Sequence, residues 1–523
     1  MFPRPARTSK WVQLSSLSLL YVVGELAHFL LGVVTTPMSQ ELHYGDHGCL
    51  VNPDLDTDED VPDNVFCYQG NSSDVCTEIW VSSTSNESAC VWDYSGLGMQ
   101  YQLLAGPSFV AVFTISGVFM GFVSDRVNRK NVLAACLALI TLATLLMGTA
   151  TQYWHLVVLR MMIGAGESSF APSASSIISD LFTESVRGLA LGIFNWGIYL
   201  GYGLSYIIGN YVTAADILGM GWRWSYYISG MLGVLVLVYM LVVLEEPPRL
   251  GGPDDDKPSP HPAPLTDTTS IDSDTSYAMS DMQLPPRSPS VKDQAAQTKR
   301  RSVRATLKAA LSSDFVSAII KPSYIFLCLA ASIRHTGGFT WAYNTQLYFQ
   351  TYYPHFNVGA WVSWVSIVGG TVGVAVGGFV SDRLVKKLGV KARLYVLAAS
   401  QFAATPFAAG VLYLAPPAAM YSLLCAYFFA EMWFGILFAV LLDIVPGTVK
   451  ASSLAFFLFV MNNIGGNAPV LVEPLRNAFS YRTALYIMYP GCFLLSSGVF
   501  LFTSLFVHDK KVHKESTSEL NRQ

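Results

Sequence analysis

The chain has 523 residues, 52% of them hydrophobic and only 13% charged, with a formal net charge of −4 and a mean hydropathy of +0.40. A soluble domain carries about 25% charged residues, so this sequence lacks the polar surface to cover itself in water and reads as a membrane protein. The charge balance has no concentrated basic face, which points away from a nucleic-acid partner.

Taken in order, residues 1–11 form a basic tail containing Arg4, Arg7 and Lys10. The apolar run near 12–36 is too long for a signal-peptide core and carries Glu25 and His28, so it is expected to be an uncleaved first span. Residues 38–100 form a long polar loop holding Cys49, Cys67, Cys76 and Cys90, with glycosylation sequons at Asn71 and Asn86. That combination implies an oxidising, lumenal or extracellular face with disulfides and attached glycans. Three pairings of the four cysteines remain open. Apolar stretches near 103–122, 131–150, 153–177, 188–211 and 224–244 complete a first set of six spans, within 12–245.

Residues 246–321 are rich in Pro, Ser and Asp and close on Lys299-Arg300-Arg301. They read as a disordered cytoplasmic linker, with a short amphipathic surface helix over 302–315. A second set of six stretches, near 322–349, 359–379, 393–414, 418–441, 451–473 and 484–507, fills 322–507, and 508–523 is a second tail. Basic residues cluster in both tails, at 126–130 and at 386–393, whereas Met38 to Gly98 holds twelve Asp/Glu and no Lys or Arg. Both termini are therefore expected to be cytoplasmic. With no acidic dileucine or tyrosine sorting signal in the cytoplasmic segments, the plasma membrane is favoured over the lysosomal one.

The expected fold is an all-α membrane protein of twelve transmembrane helices in two pseudo-symmetric six-helix bundles. Its warrant is a repeat: Gly121-Phe122-Val123-Ser124-Asp125-Arg126 recurs as Gly378-Phe379-Val380-Ser381-Asp382-Arg383, at the end of the second span of each half. Two homologous halves place a site at the midplane between them.

The first copy, continued through Arg129 and Lys130, resembles the cytoplasmic loop signature of the major facilitator superfamily, and Arg160-x3-Gly164-x-Gly166-Glu167 resembles its fourth-span arginine motif. The resemblance implies the fold above and a cytoplasmic gate built from Gly121, Asp125, Arg126, Arg129, Gly378, Asp382 and Arg383. The stretch from Arg160 to Ser168, followed by Ile177-Ile178-Ser179-Asp180-Leu181-Phe182, is similar to the spinster-type lipid transporters. That similarity implies a lysophospholipid or sphingosine phosphate cargo, often with proton coupling. Two features depart from the group: Glu25 and His28 stand where it commonly has an Asp-Arg pair, and the cysteine-rich loop is long.

Ionisable residues inside the spans point to the site directly. Each costs at least about 2.5–3.5 kcal/mol at a helix centre, so several at one depth require pairing, an aqueous cavity or a function. At about 1.5 Å per residue, Glu25, Arg334, His335 and Glu431 converge near mid-depth, with Asn462 beside them and Arg160 somewhat further out. Arg160 and Glu167, seven apart, share a helix face. Substrate contacts are expected from Arg160, Glu167, Arg334, His335, Tyr343, Asn344 and Asn462. Proton coupling is expected from Glu25, His28 and Glu431, because a carboxyl in a partly dry cavity gains and loses its proton as charged neighbours move.

No Walker-type phosphate loop, zinc-ligand spacing or nucleophile elbow occurs, so no cofactor, metal or enzymatic activity is expected. The function expected is secondary active transport of an organic anion, plausibly an amphipathic lysolipid or sphingoid phosphate, by a monomer contacting membrane lipids. The alternatives are the same fold carrying a small hydrophilic anion or sugar, and a receptor or scaffold without flux.

Overall fold

A computed structural model describes residues 8–52, 65–81, 87–124, 127–247, 313–446 and 449–507. Each of the twelve apolar stretches is helical. The first span, Lys10–Leu42, overruns its expected end by about two turns and carries Pro37 within it. The second is Met99–Ala105 continued by Pro107–Ser124, the third Arg129–Met147, and the fourth Tyr153–Glu167 continued by Phe170–Leu181. The fifth is Glu184–Ile207 with a π-helical turn Ile208–Val212, and the sixth Trp222–Val243. In the second half, the seventh is Pro322–Tyr352, the eighth Val358–Leu388 and the ninth Lys391–Tyr413. The tenth is Ala418–Ala430 and Phe434–Ile444 joined by a 3-10 turn, Glu431–Trp433. The eleventh begins as Lys450–Asn467 and ends as Val472–Ala478, and the twelfth is Tyr481–Met488 followed by Pro490–Thr503.

Among the described residues, nine helices are long and apolar enough to cross a membrane by composition alone. The fourth, fifth and seventh spans are not among the nine. The fourth and seventh hold Arg160, Glu167, Arg334 and His335. The protein is thus an integral, multi-pass, all-α membrane protein, and part of the polarity that weakens its spans is what builds the site.

Small residues set the closest approaches. A Cβ on Gly369, Gly373 or Gly377 of the eighth span would strike the tenth, 2.3 Å from the Phe428 carbonyl oxygen in the tightest case. Gly201 of the fifth span lies against Glu25 and the Val22 carbonyl of the first. In lipid, where apolar burial does not drive helix pairing, this backbone proximity supplies the packing energy.

The repeat also shows in ion pairs. Arg129, at the start of the third span, bonds Asp180 at the end of the fourth at 2.6 Å and Glu246 at 2.7 Å. Arg393, at the start of the ninth, bonds Asp443 at the end of the tenth at 2.7 Å and lies 3.7 Å from Asp382. Each pair stays within its own half. Asp382 and Arg383 are exposed, Arg383 lying over the Phe379 ring of its own helix. Asp125 and Arg126 lie outside the described residues, as do the surroundings of Gly121 and the Phe122 side chain.

The long loop carries a two-stranded antiparallel hairpin, β1 (His47–Val51) and β2 (Cys90–Tyr94), with His47 opposite Tyr94. Of the three open pairings, the protein uses Cys49–Cys76 and Cys67–Cys90. The four cysteines form the core of a small domain otherwise too poor in apolar residues to hold together. Each bridge closes a loop of just over twenty residues (separations 27 and 23), worth about 3 kcal/mol in the chain-entropy account. Replacing Cys67 and Cys90 by Ser is therefore expected to leave the spans folded but expose the loop to limited proteolysis at least tenfold faster. Asn71 is exposed, as a glycan acceptor must be, and Asn86 lies outside the described residues. So do 302–312, most of the expected surface helix; a helix is described at Ser313–Ile319.

Candidate functional site

The two halves meet at mid-depth and towards the end that bears the loop. On the seventh span, Asn344 accepts a bond from Gln102 of the second at 3.1 Å, Gln346 donates to Asn210 of the fifth at 2.9 Å, and Gln350 accepts from Thr36 of the first at 2.9 Å. The Tyr101 hydroxyl donates to the Tyr343 carbonyl. Arg476 of the eleventh span bonds Glu473 and reaches Asp46, beside β1. The Tyr68 ring of the loop lies 4.9 Å from that of Tyr352. Among the described residues, these bonds between the halves lie at mid-depth and at the loop end, where the molecule is closed.

This seam is mostly neutral amides, which hold without paying for buried charge; Arg476 is its ionic element. Arg476→Ala leaves Asp46 and Glu473 unpaired, Glu473 being only 3% exposed. The expected result is a severalfold rise in labelling of a cysteine placed at Thr36 by a membrane-impermeant thiol reagent.

Below the seam sits a cluster in the first half. Glu25, His28 and Glu167 are at most 7% exposed, and their ligand atoms lie within 4.8 Å of one another. His28 Nδ1 is 3.6 Å from Glu167 Oε1, and its Nε2 is 3.5 Å from the Tyr343 hydroxyl of the opposite half. Tyr21, one turn before Glu25, is hydrogen-bonded to it. Arg160 is 1% exposed, bonded to the Leu104 and Ala27 carbonyls at a long 3.4 Å, with its guanidinium 4.9 Å from the centre of the Phe109 ring. Among the described residues no carboxylate lies within ion-pair distance of it.

The second half repeats the theme with a tighter pair. Arg334 donates to Glu431 at 2.7 Å and to the Ala430 carbonyl at 2.8 Å, and lies over the Trp433 ring at 4.0 Å. The break in the tenth helix makes this possible, because the interruption frees the Ala430 carbonyl from helical bonding. The fourth helix breaks at the corresponding place, directly after Glu167. A base on the first or seventh span thus meets a carboxylate at the break of the fourth or tenth: His28 with Glu167, Arg334 with Glu431. Glu431 is also bonded across the interface by Tyr199 of the fifth span at 3.1 Å, and Tyr427 bonds Tyr202 at 3.3 Å.

Of the expected site residues, Glu25, His28, Arg160, Glu167 and Tyr343 come together, as do Arg334 and Glu431. His335 lies beside Asn462 and stacks edge-on to Phe339 at 4.5 Å. Asn344 is fully buried in the seam with Gln102 and Tyr481. Tyr199, Tyr202, Tyr427, Gln102 and Arg476 were not expected; tyrosines and amides inside apolar helices carry no pattern that distinguishes an interface from a lipid anchor.

A sequence model of the Major Facilitator Superfamily matches residues 17–469. The sphingosine-1-phosphate transporter SPNS2 of Danio rerio is 36% identical over 143 residues, 27% of this chain and 28% of that protein. Protein spinster homolog 1 of Bos taurus is 34% identical over 145 residues, 27% of this chain and 26% of that protein. The matched part of the chain thus spans about a quarter of these relatives' length. Among solved structures, a bacterial homolog of the human lysosomal transporter Spinster, in an inward-facing and unoccupied conformation, superposes with a TM-score of 0.60. It is 16% identical, over 95% of this chain and 96% of that one. A D-xylose-proton symporter superposes at 0.54 with 14% identity, over 95% and 98%. Twin bundles with repeated ion pairs, and a family match running through both halves, show that this chain belongs to the Major Facilitator Superfamily.

Proposed function

We propose that the protein is a secondary transporter that moves an amphipathic organic anion, a lysolipid or sphingoid phosphate, by alternating access coupled to protons. The observation that carries this is Arg160: a buried permanent cation with no carboxylate at ion-pair distance among the described residues, near the interface of the two halves. Such a charge is costly until an anion meets it. The relatives named as sphingosine-1-phosphate transporter and spinster homologs support an amphiphilic cargo.

With the loop on the outer face, the joined end is outer, and we read this conformation as inward-facing. An anion arriving from the inner side neutralises Arg160 and competes with Glu431 for Arg334. Release of Glu431 frees Tyr199 and loosens the interface, which lets the seam open. Glu25 takes up and gives back the proton. The groups facing it are Tyr21 on its own helix, Glu167 on the fourth, Gly201 on the fifth, and His28 with Tyr343 beyond. Two carboxylates so close in a dry site repel, and one proton relieves them. The monomer sits in the plasma membrane, both termini cytoplasmic, with glycans at Asn71 and Asn86 and the repeated Asp-Arg turns closing the cytoplasmic side in the outward-facing state.

The test is uptake of labelled sphingosine 1-phosphate, lysophosphatidate and a small organic anion into proteoliposomes, at equal and unequal pH across the membrane. Uptake of a lipid phosphate that an imposed pH gradient accelerates severalfold is expected. Uptake of none of them, or of the small anion alone, overturns the reading.

A further inference from the structure

The first-half cluster carries more acceptors than an anion site needs. Glu25 and Glu167 bring two carboxylates, yet Arg160 bonds neither at ion-pair distance among the described residues. Glu167 Oε2 is buried without a hydrogen-bond partner, in a side chain 5% exposed, while Oε1 faces His28 Nδ1 at 3.6 Å. When ionised, that free oxygen takes an N–H donor. Around the imidazole stand four aromatic rings: Phe109 at 3.9 Å, Phe29 at 4.5 Å, Phe339 at 6.1 Å and Tyr343 at 6.2 Å. Buried carboxylates within a wall of aromatic faces are the chemistry that holds an organic cation.

Resting on the function proposed above, we infer that Glu25, His28 and Glu167 form a subsite for a primary ammonium group, so that the cargo is a zwitterion with its anionic group at Arg160. The unpartnered Glu167 oxygen calls for an N–H donor, which favours a primary amine over a quaternary ammonium. The cluster spacing agrees: charge-assisted bonds of about 2.7–2.9 Å at tetrahedral angles let one ammonium nitrogen bridge oxygens about 4.4–4.7 Å apart, close to the 4.8 Å limit of the cluster. A zinc ion, at about 2.0–2.2 Å from each ligand, would require the donors to close in. The two subsites flank one ring, since Arg160 and His28 both lie against Phe109. Amine and anion must therefore be a few bonds apart, as in a 2-amino-1-phosphate. A cargo amine and the coupling proton meet the same carboxylates, so amine binding weakens as the proton occupies them.

The experiment uses the full chain and reads both binding, by ligand-induced thermal stabilisation in detergent, and competition with labelled sphingosine 1-phosphate in proteoliposomes. The probes are sphingosine 1-phosphate and its N-acetyl derivative, which keep the same phosphate and chain while the second cannot form an ammonium. The wild type is expected to bind the N-acetyl compound about ten- to a hundredfold more weakly, the worth of one or two charge-assisted bonds. Glu167→Gln should shrink that gap to within about threefold while still binding the N-acetyl compound, and Glu25→Gln should shrink it partly; because stabilisation reports binding directly, a variant that no longer transports still answers. Equal affinity for both compounds in the wild type overturns the subsite and leaves the proposed function standing, as does a gap that neither substitution changes. Stabilisation by zinc that Glu167→Gln removes, with no preference for the amine, assigns the cluster to a metal and overturns the subsite too. Failure of both phosphates to bind overturns the proposed function and this inference together.

Discussion

Replacing Arg160 by Gln should cut uptake of a lipid phosphate on the order of a hundredfold while the protein still folds. The two halves of that expectation rest on different contacts. Among the described residues Arg160 makes two long bonds to backbone carbonyls and pairs with no carboxylate, so its loss leaves none of these newly unpaired. Toward an anion it offers a planar fork of donors in a site from which water is excluded, where truncating a charged partner costs about 2–5 kcal/mol. Arg160→Lys keeps the charge without the fork and should recover part of the activity. Arg334→Ala is a different case, because it leaves the largely buried Glu431 carboxylate without its cation, with the Tyr199 hydroxyl as its remaining partner among the described residues. Such a change costs about 3–5 kcal/mol of stability and should lower the melting temperature along with activity. Binding and melting measured on both variants separate the roles. An Arg160→Gln protein that binds and transports like the wild type removes the central support of the proposal.

The second large effect is expected from Glu25→Gln. The amide keeps the shape and cannot exchange a proton, so the variant should exchange labelled for unlabelled cargo across the membrane but show no acceleration by an imposed pH gradient. A response to the gradient that persists unchanged means that the coupling carboxylate is elsewhere. Glu431 would then be the next to examine, since it is 18% exposed and linked to both halves.

Much of this was legible before any coordinates. The count of spans, their division into six and six and the two-fold repeat follow from hydropathy and a duplicated hexapeptide, because a helix in lipid must satisfy its backbone internally and announce itself by length and apolarity. The ionisable residues were equally visible, since charge in a span is too costly to be accidental. Their partners were not. Arg160 and Glu167 share a face, yet Glu167 pairs with His28 on another helix. Glu431, expected as a coupling group, bonds Arg334 and Tyr199. Glu473 is buried beside Arg476 in the link to the loop.

The sequence alone determined the solvent of each segment, the number of helices, the duplication and the depth of every charged side chain, because those quantities depend on position along one helix axis. Only the tertiary structure decided which charges touch, which disulfides form and which end of the molecule is shut. Those depend on how helices rotate and cross, and rotation is set by close contacts such as Gly201 on Glu25 and Gly373 on Phe428. A one-dimensional pattern shows that such small residues are present, but not which partner each of them admits.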